Sequence, residues 1–470
     1  RIQSIARQSS SHFRQPMKPL SAQQIAEVLG ADVAAGDPAA IVCAGVSTDT
    51  RKLNAGCAFF ALRGENFDGD AFAADALAAG AALVVVQRWS GDCPAGAAVI
   101  LVPDTLAALQ RLAYWWRRQL DIPVVCITGS NGKTSTKDLT TAVLSRRFRV
   151  SSTKGNLNNH IGLPLTVLAT TLEDQAAVWE IGMNHAGELA PLCKIAQPKY
   201  GIITNIGTAH IEHLGSRDAI AEEKGTLART LPEDGVLFIS ASCDYHDFLR
   251  ERTKAAMISV GDGRGIVRAE NLRLEPDRSH FTLVIEGDGH AEVCLPVPGR
   301  HMVINALLAA AVGWKLGMPP CEIASGLSEV KISGGRLARR VVDGVTVIDD
   351  TYNANPESMA AAIETLADAP MPNGARRFVV LGRMGELGIH GPAAHHQIGK
   401  LAASHDLVVI AAGEGAEGIA EGAGGAKYFP VLADAAKWLA AEVKPGDAVL
   451  FKGSRSATIE RVMNAAFPPH

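Results

Sequence analysis

The chain has 470 residues, 47% of them hydrophobic, and a formal net charge of −4. That is long enough for two or three domains with real cores, and the near-neutral balance excludes a general binder of nucleic acid or of acidic membrane surfaces. Eight scattered cysteines without a C-x-x-C pair, and no apolar run of about 20 residues, point to reduced thiols in a cytoplasmic protein with no stable membrane association.

Residues 1–16 are polar and basic without an apolar centre. They do not read as a secretory signal and are expected to be a tag or disordered tail ahead of Met17. The pattern then predicts a helix over 22–29, short strands near 42–46 and 57–61, a helix over 70–79 and a strand over 82–86. This small α/β unit ends near Pro103. A helix over 106–120 leads into an apolar strand at 124–128, and strand-like runs at 177–181, 200–205 and 235–239 alternate with helical stretches. Such alternation builds a largely parallel, helix-covered sheet. Segment 256–298 has several β-type runs and reads as a β-rich flap, closed by an alanine-rich helix over 303–316 and Pro319-Pro320. Beyond residue 331, strand-like segments at 345–348, 378–381, 407–410 and 448–451 alternate with Gly- and Ala-rich helices, as in a further doubly wound domain.

The most informative stretch is VVCITGSNGKTSTK at 124–137. Strand, glycine turn and helix follow in the order that builds a phosphate cradle from Gly129, Ser130, Asn131, Gly132, Lys133, Thr134 and Ser135. Backbone N–H groups and the helix N-terminus converge on an anion. Lys133 can reach the outer phosphates, and the Thr134 hydroxyl can ligand Mg²⁺. The longer G-x-x-x-x-G-K-[ST] pattern needs a glycine where Ile127 stands, so the match is to the shorter G-x-x-G-K-T.

Other polar residues sit at predicted strand ends. Glu180 is placed to hold Mg²⁺ opposite the loop, and His210 is placed for a metal or phosphate role. Lys224, in AEEKG, reads on sequence alone as a surface lysine of a charged helix. The DDTYNANPES stretch at 349–358 can cap a helix or hydrogen-bond a ribose. The KGSRS stretch at 452–456 offers two cations for a carboxylate.

Taken in order, these motifs resemble the Mur ligase family over nearly the whole chain. STDTR at 47–51, GNLNN at 155–159, EIGMNHAGE at 180–188 and AHIE at 209–212 complete the pattern. The resemblance implies an α/β protein of three domains: a UDP-sugar-binding domain at 17–104, a P-loop ATP-binding domain at 105–328 and a Rossmann-like domain at 329–470. It implies an ATP- and Mg²⁺-dependent ligase, a monomer, that joins D-Ala-D-Ala to UDP-N-acetylmuramoyl-tripeptide through an acyl phosphate. It places Ser47, Thr48, Asp49 and Arg51 near the uridine, and Asn156, Asn158 and Asn159 near the muramyl part. Glu180, His210 and Thr134 become metal ligands. Lys224, against its sequence-only reading, becomes a carbamate that helps hold Mg²⁺. Asn305 would contact adenine, and Arg336, Asp350 and Tyr352 would complete the nucleotide site. Asn353, Asn355, Lys452 and Ser454 would approach substrate, and Lys133, Lys224, His210 and Arg336 would serve catalysis.

The chain departs from the family pattern twice. Arg383 stands where G-D-M-x-E-L-G has an acid, and Thr226 where a glutamate follows the lysine and glycine. A folylpolyglutamate-synthase-like ligase, a P-loop kinase, a sibling ligase adding a diamino acid and a nucleotide-binding protein without catalysis stay open as alternatives.

Overall fold

The computed structural model describes residues 17–64 and 67–468; the expected tail at 1–16 lies outside the described residues. Contacts group the chain into two compact units. One is built from the chain up to Ile122 together with Lys154–Ala177, the other from Pro123–Thr153 together with Val178 onward.

The first unit carries a five-stranded sheet in the order 33–36, 98–101, 83–86, 58–60, 46–47, parallel except at its first pair. The strands Leu83–Val86 and Ala58–Phe60 are wholly buried, which suits β-branched and aromatic runs covered on both faces. The helix Thr105–Arg117 starts at the N-cap Asp104, whose carboxylate accepts from the N–H groups of Leu106 and Ala107. It packs with helices Ala22–Leu29 and Gly162–Leu168 in this unit, rather than only leading into the next strand. Its Trp116 is fully buried and donates its indole N–H to the Thr170 carbonyl at 2.8 Å.

The second unit holds two sheets. The nine-stranded sheet runs 150–152, 176–180, 124–128, 200–203, 236–240, 256–262, 267–274, 279–285, 289–295. Its pairs are parallel from 124–128 through 267–274, and the last two are antiparallel hairpin pairs. The β-rich segment expected as a flap is thus a continuation of the central sheet. Short turns at Pro276 and Gly287 join the antiparallel neighbours there, whereas helices separate the strands from 124–128 through 256–262. The six-stranded sheet runs 338–342, 345–350, 448–452, 377–381, 408–412, 427–429, parallel after its first pair. Val347, Phe378, Val380, Ile410, Val449 and Phe451 form its core.

Replacing Trp116 by alanine removes the largest buried side chain of the first unit's helical layer and its indole hydrogen bond to the Thr170 carbonyl. We expect a loss of about 3–5 kcal/mol, read from the shift of the urea-unfolding midpoint.

Candidate active site

The strand Val124–Thr128 is wholly buried and ends at Gly129. A Cβ there would lie 1.8 Å from the Thr204 hydroxyl, so only glycine fits. Gly132 takes φ 78° and caps the helix Lys133–Leu144 beside the Asn305 carboxamide; a Cβ would sit 3.0 Å from that group. The loop between them is held from the neighbouring strand end. Asn205 accepts from the N–H groups of Ser130, through its carbonyl at 3.1 Å, and Asn131, through its side chain at 2.9 Å. Thr204 and Asn205 both donate to the Asn131 carbonyl, at 2.5 and 3.1 Å, and Gly207 N–H donates to Ser130 Oγ at 2.8 Å. Sequence reading passed over Thr204 and Asn205; a Thr-Asn pair at the end of a strand beside the phosphate strand is the signal that marks them.

Lys133 donates from Nζ to the Gly129 carbonyl at 2.7 Å, folding back over the loop. Desolvation lowers its ammonium from the usual lysine range; Glu180 opposes this, Arg336 adds to it and Glu386 opposes it. Thr134 donates to Glu180 Oε2 at 2.8 Å and accepts from Arg336 Nη2 at 3.2 Å. Glu180 is 2% exposed. A buried carboxylate and a hydroxyl this close are the hard oxygen donors that suit Mg²⁺ completed by nucleotide phosphates, so these residues fit the ion. Among the described residues, no three His, Cys, Asp or Glu side chains converge on a metal position.

Lys224, expected on sequence alone at the surface, is 1% exposed inside the helix Arg217–Thr230. Burial pushes its amine well below the usual range, Lys133 pushes it further and Glu223 opposes. Glu223, unmarked by the sequence, accepts from Gly187 N–H at 2.9 Å and Leu189 N–H at 2.8 Å and so anchors the loop that follows Glu180. Thr226 accepts from Arg229, which pairs with Glu222 on the outer face of the helix.

His210 Nδ1 lies 2.6 Å from Glu386 Oε2, a contact that holds the Glu386 carboxyl below its usual range. Both residues take left-handed backbone, φ 66° and 59°. Non-glycine residues there cost on the order of 1 kcal/mol or more each, strain that clusters at functional sites. The loop of Glu386 follows the strand Arg377–Leu381, so this contact ties the last sheet to the phosphate-binding side of the central one. Three more contacts do the same. Asn355 donates to the Asn131 carboxamide oxygen at 2.7 Å, Glu357 accepts from Thr208 N–H at 2.8 Å, and Arg336 spans from Thr134 to the Tyr352 ring, 3.9 Å from its centroid. Asn355 also caps the helix Pro356–Asp368 through a reciprocal bond pair with Ser358, so capping and loop contact come from one side chain.

Lys452 is taken up internally: Nζ lies 2.6 Å from Asp350 Oδ2 and donates to the Asn353 carbonyl at 3.0 Å. Burial raises the Asp350 carboxyl while Lys452 opposes. Ser454 Oγ lies 3.2 Å from Ser456 Oγ. In the first unit, Asp49 holds Arg51 through two oxygens at 2.9 Å, which brings its carboxyl down to about 2, and Ser47 Oγ bonds both the Asp49 N–H and carbonyl. Thr48 lies within this turn. Asn159 Oδ1 accepts from Ile161 and Gly162 N–H groups, and the Asn156 carbonyl accepts from Asn158 N–H.

Three family models match: the Mur ligase family catalytic domain over 42–115, the Mur ligase middle domain over 127–313, and the Mur ligase glutamate ligase domain over 335–455. The chain is 36% identical over 460 residues to UDP-N-acetylmuramoyl-tripeptide–D-alanyl-D-alanine ligase of Escherichia coli, covering 96% of this chain and 98% of that one. The chain belongs to the Mur ligase family. The same enzyme of Bacillus subtilis is 37% identical over 450 residues, covering 94% and 97%. Among solved structures, MurF from Acinetobacter baumannii superposes with TM-score 0.89 at 35% identity, covering 96% and 99%. MurF from Thermotoga maritima, solved with ADP, gives 0.80 at 28%, covering 90% and 96%. This Mur ligase therefore shares a three-domain α/β architecture with them.

His301, at the start of the helix Arg300–Lys315, has its pKa lowered to about 4 from 6.5 by desolvation and by Lys452. The unfolded chain takes up that proton first as pH falls, so the stability is present above 6.5 and is lost between about pH 6.5 and pH 4. Urea midpoints measured across this range should fall less steeply in His301→Gln than in the wild type.

Proposed function

We propose that this Mur ligase joins D-Ala-D-Ala to the free carboxylate of UDP-N-acetylmuramoyl-tripeptide at the expense of ATP. The observation that carries the reading is near-full-length relatedness to ligases of that name together with the glycine loop and its Thr134–Glu180 pair. A carboxylate oxygen of the tripeptide attacks the γ-phosphorus, and ADP leaves as an acyl phosphate forms. The dipeptide amine attacks that carbonyl carbon, loses a proton, and inorganic phosphate departs as the amide forms. The second step consumes the intermediate only if water is kept away, which is the task of the last domain closing on the central one.

Phosphoryl transfer asks mainly for alignment and neutralised charge. The loop N–H groups and Lys133 cradle the phosphates, and Arg336, stacked on Tyr352, brings a fixed guanidinium to Thr134. Asn305 and Asp350 complete the nucleotide site in this reading, with Ser135 at the helix start. Ser47, Thr48, Asp49 and Arg51 serve the uridine, and Asn156, Asn158 and Asn159 the sugar. Asn353, Asn355, Lys452 and Ser454 shape the dipeptide side. Thr134, Glu180 and His210 would hold Mg²⁺, which would supply charge neutralisation for the transferred phosphoryl group. Lys224 serves as a carbamate: its neutral amine adds to CO₂, an N–C bond forms and a proton is released, turning a buried neutral amine into an anion. The reading is of a monomer working in the cytoplasm.

Phosphate release should require ATP, the UDP-tripeptide and D-Ala-D-Ala together, with a UDP-linked pentapeptide in the mass spectrum. Lys133→Ala should lower kcat on the order of 10²–10³-fold. Release of phosphate without the dipeptide would count against the assignment. Independently, isotopically labelled bicarbonate should give a carbamate carbon resonance that is absent from Lys224→Ala. A spectrum identical in the two proteins rejects the carbamate.

A further inference from the structure

Arg383 departs from the family pattern, and the catalytic scheme gives it no task. It sits where the last sheet changes direction. The chain passes from 345–350 to 377–381, 408–412 and 427–429 in one direction across the sheet, then returns to place 448–452 between the first two. Right-handed crossovers put the outgoing and returning helices on opposite faces. Helices Pro356–Asp368, Gly391–Ser404 and Glu417–Ala423 pack in series, and Leu432–Glu442 packs with Glu460–Ala466. The adjacent strands 377–381 and 448–452 therefore send their following segments to opposite faces, and open α/β sheets bind ligands in the crevice this leaves.

Three loops build the place where Arg383 stands. Its carbonyl accepts from Ser454 N–H at 2.9 Å and its Nη2 donates to Ser456 Oγ at 3.0 Å. Its stem lies on Gly415, where a Cβ would come within 2.7 Å of Arg383 Cδ. The guanidinium is exposed, and among the described residues no carboxylate pairs with it. Lys452, at the end of the adjacent strand, is neutralised by Asp350. The crevice thus presents a planar donor set with two serine hydroxyls beside it and, among the described residues, no carboxylate paired with it, which suits a carboxylate ligand.

Direction follows from the same loop. Glu386, three residues on, contacts His210 on the phosphate-binding side of the central sheet. Three residues span at most ~10 Å and a dipeptide ~7 Å. A dipeptide lying along this loop has its carboxylate at Arg383 and its amine toward the phosphates.

We propose that Arg383 is the receptor for the free carboxylate of the incoming dipeptide and sets the preference for a substrate with an unblocked C-terminus. The assignment rests on the ligase reading above. The test compares D-Ala-D-Ala with D-alanyl-D-alanine amide in wild type, Arg383→Ala and Arg383→Lys. Wild type should favour the acid about 10- to 100-fold in kcat/KM. Arg383→Ala should lose that preference by a rise in KM for the acid alone, with KM for ATP and UDP-tripeptide unchanged, and Arg383→Lys should fall between. An acid preference kept in Arg383→Ala, or an equal loss on both peptides, overturns the proposal. If Arg383→Ala does not fold, an undiminished preference in Arg383→Lys overturns it and a reduced one supports it. A wild type that joins neither peptide overturns the ligase reading and this assignment with it.

Discussion

The site depends on how the glycine loop is pinned to the neighbouring strand end. The amides and carbonyls of a loop packed against a sheet both need partners. Thr204 and Asn205 provide them: both donate to the Asn131 carbonyl, and Asn205 also accepts from the loop's own amides. The parallel pairing of Val124–Thr128 with Tyr200–Ile203 brings the two strand ends level, and that register makes the contacts possible.

Around this loop Lys133 feels both Arg336 and Lys224, and the carboxylates Glu180, Glu386 and Glu223 oppose them. Lys133 folds onto carbonyl oxygens, and burial first, then the nearby Lys133, pushes the Lys224 amine below the usual lysine range. The last domain contacts the loop itself, Asn355 to Asn131 and Arg336 to Thr134, so occupancy of the loop and docking of that domain share the same atoms.

Much of the site was legible because its residues lie in short local motifs at strand ends: Gly129 to Ser135, Glu180, His210 and Asp350 each follow an apolar run. Residues whose task depends on a distant partner were not. Lys224 looks like one of several charges on a helix, and only packing buries it. Lys452 reads as a free cation for substrate, yet Asp350, about a hundred positions earlier, is its partner because the strands 345–350 and 448–452 are neighbours. Glu223 carries no local pattern that separates it from the other charges of its helix, and Thr204 and Asn205 gain their meaning only once their strand is known to lie beside 124–128.

Composition and periodicity determined the α/β class and the places of the glycine loop and the polar strand ends, and the motifs together carried the resemblance to the family, because these are properties of consecutive residues. Tertiary structure alone decided that the β-rich segment prolongs the central sheet, that the helix at 105–117 belongs with the first unit, and which charges meet. Those outcomes turn on strand order and on burial. The energy of an ion pair or a buried amine comes from neighbours that the chain brings together only on folding.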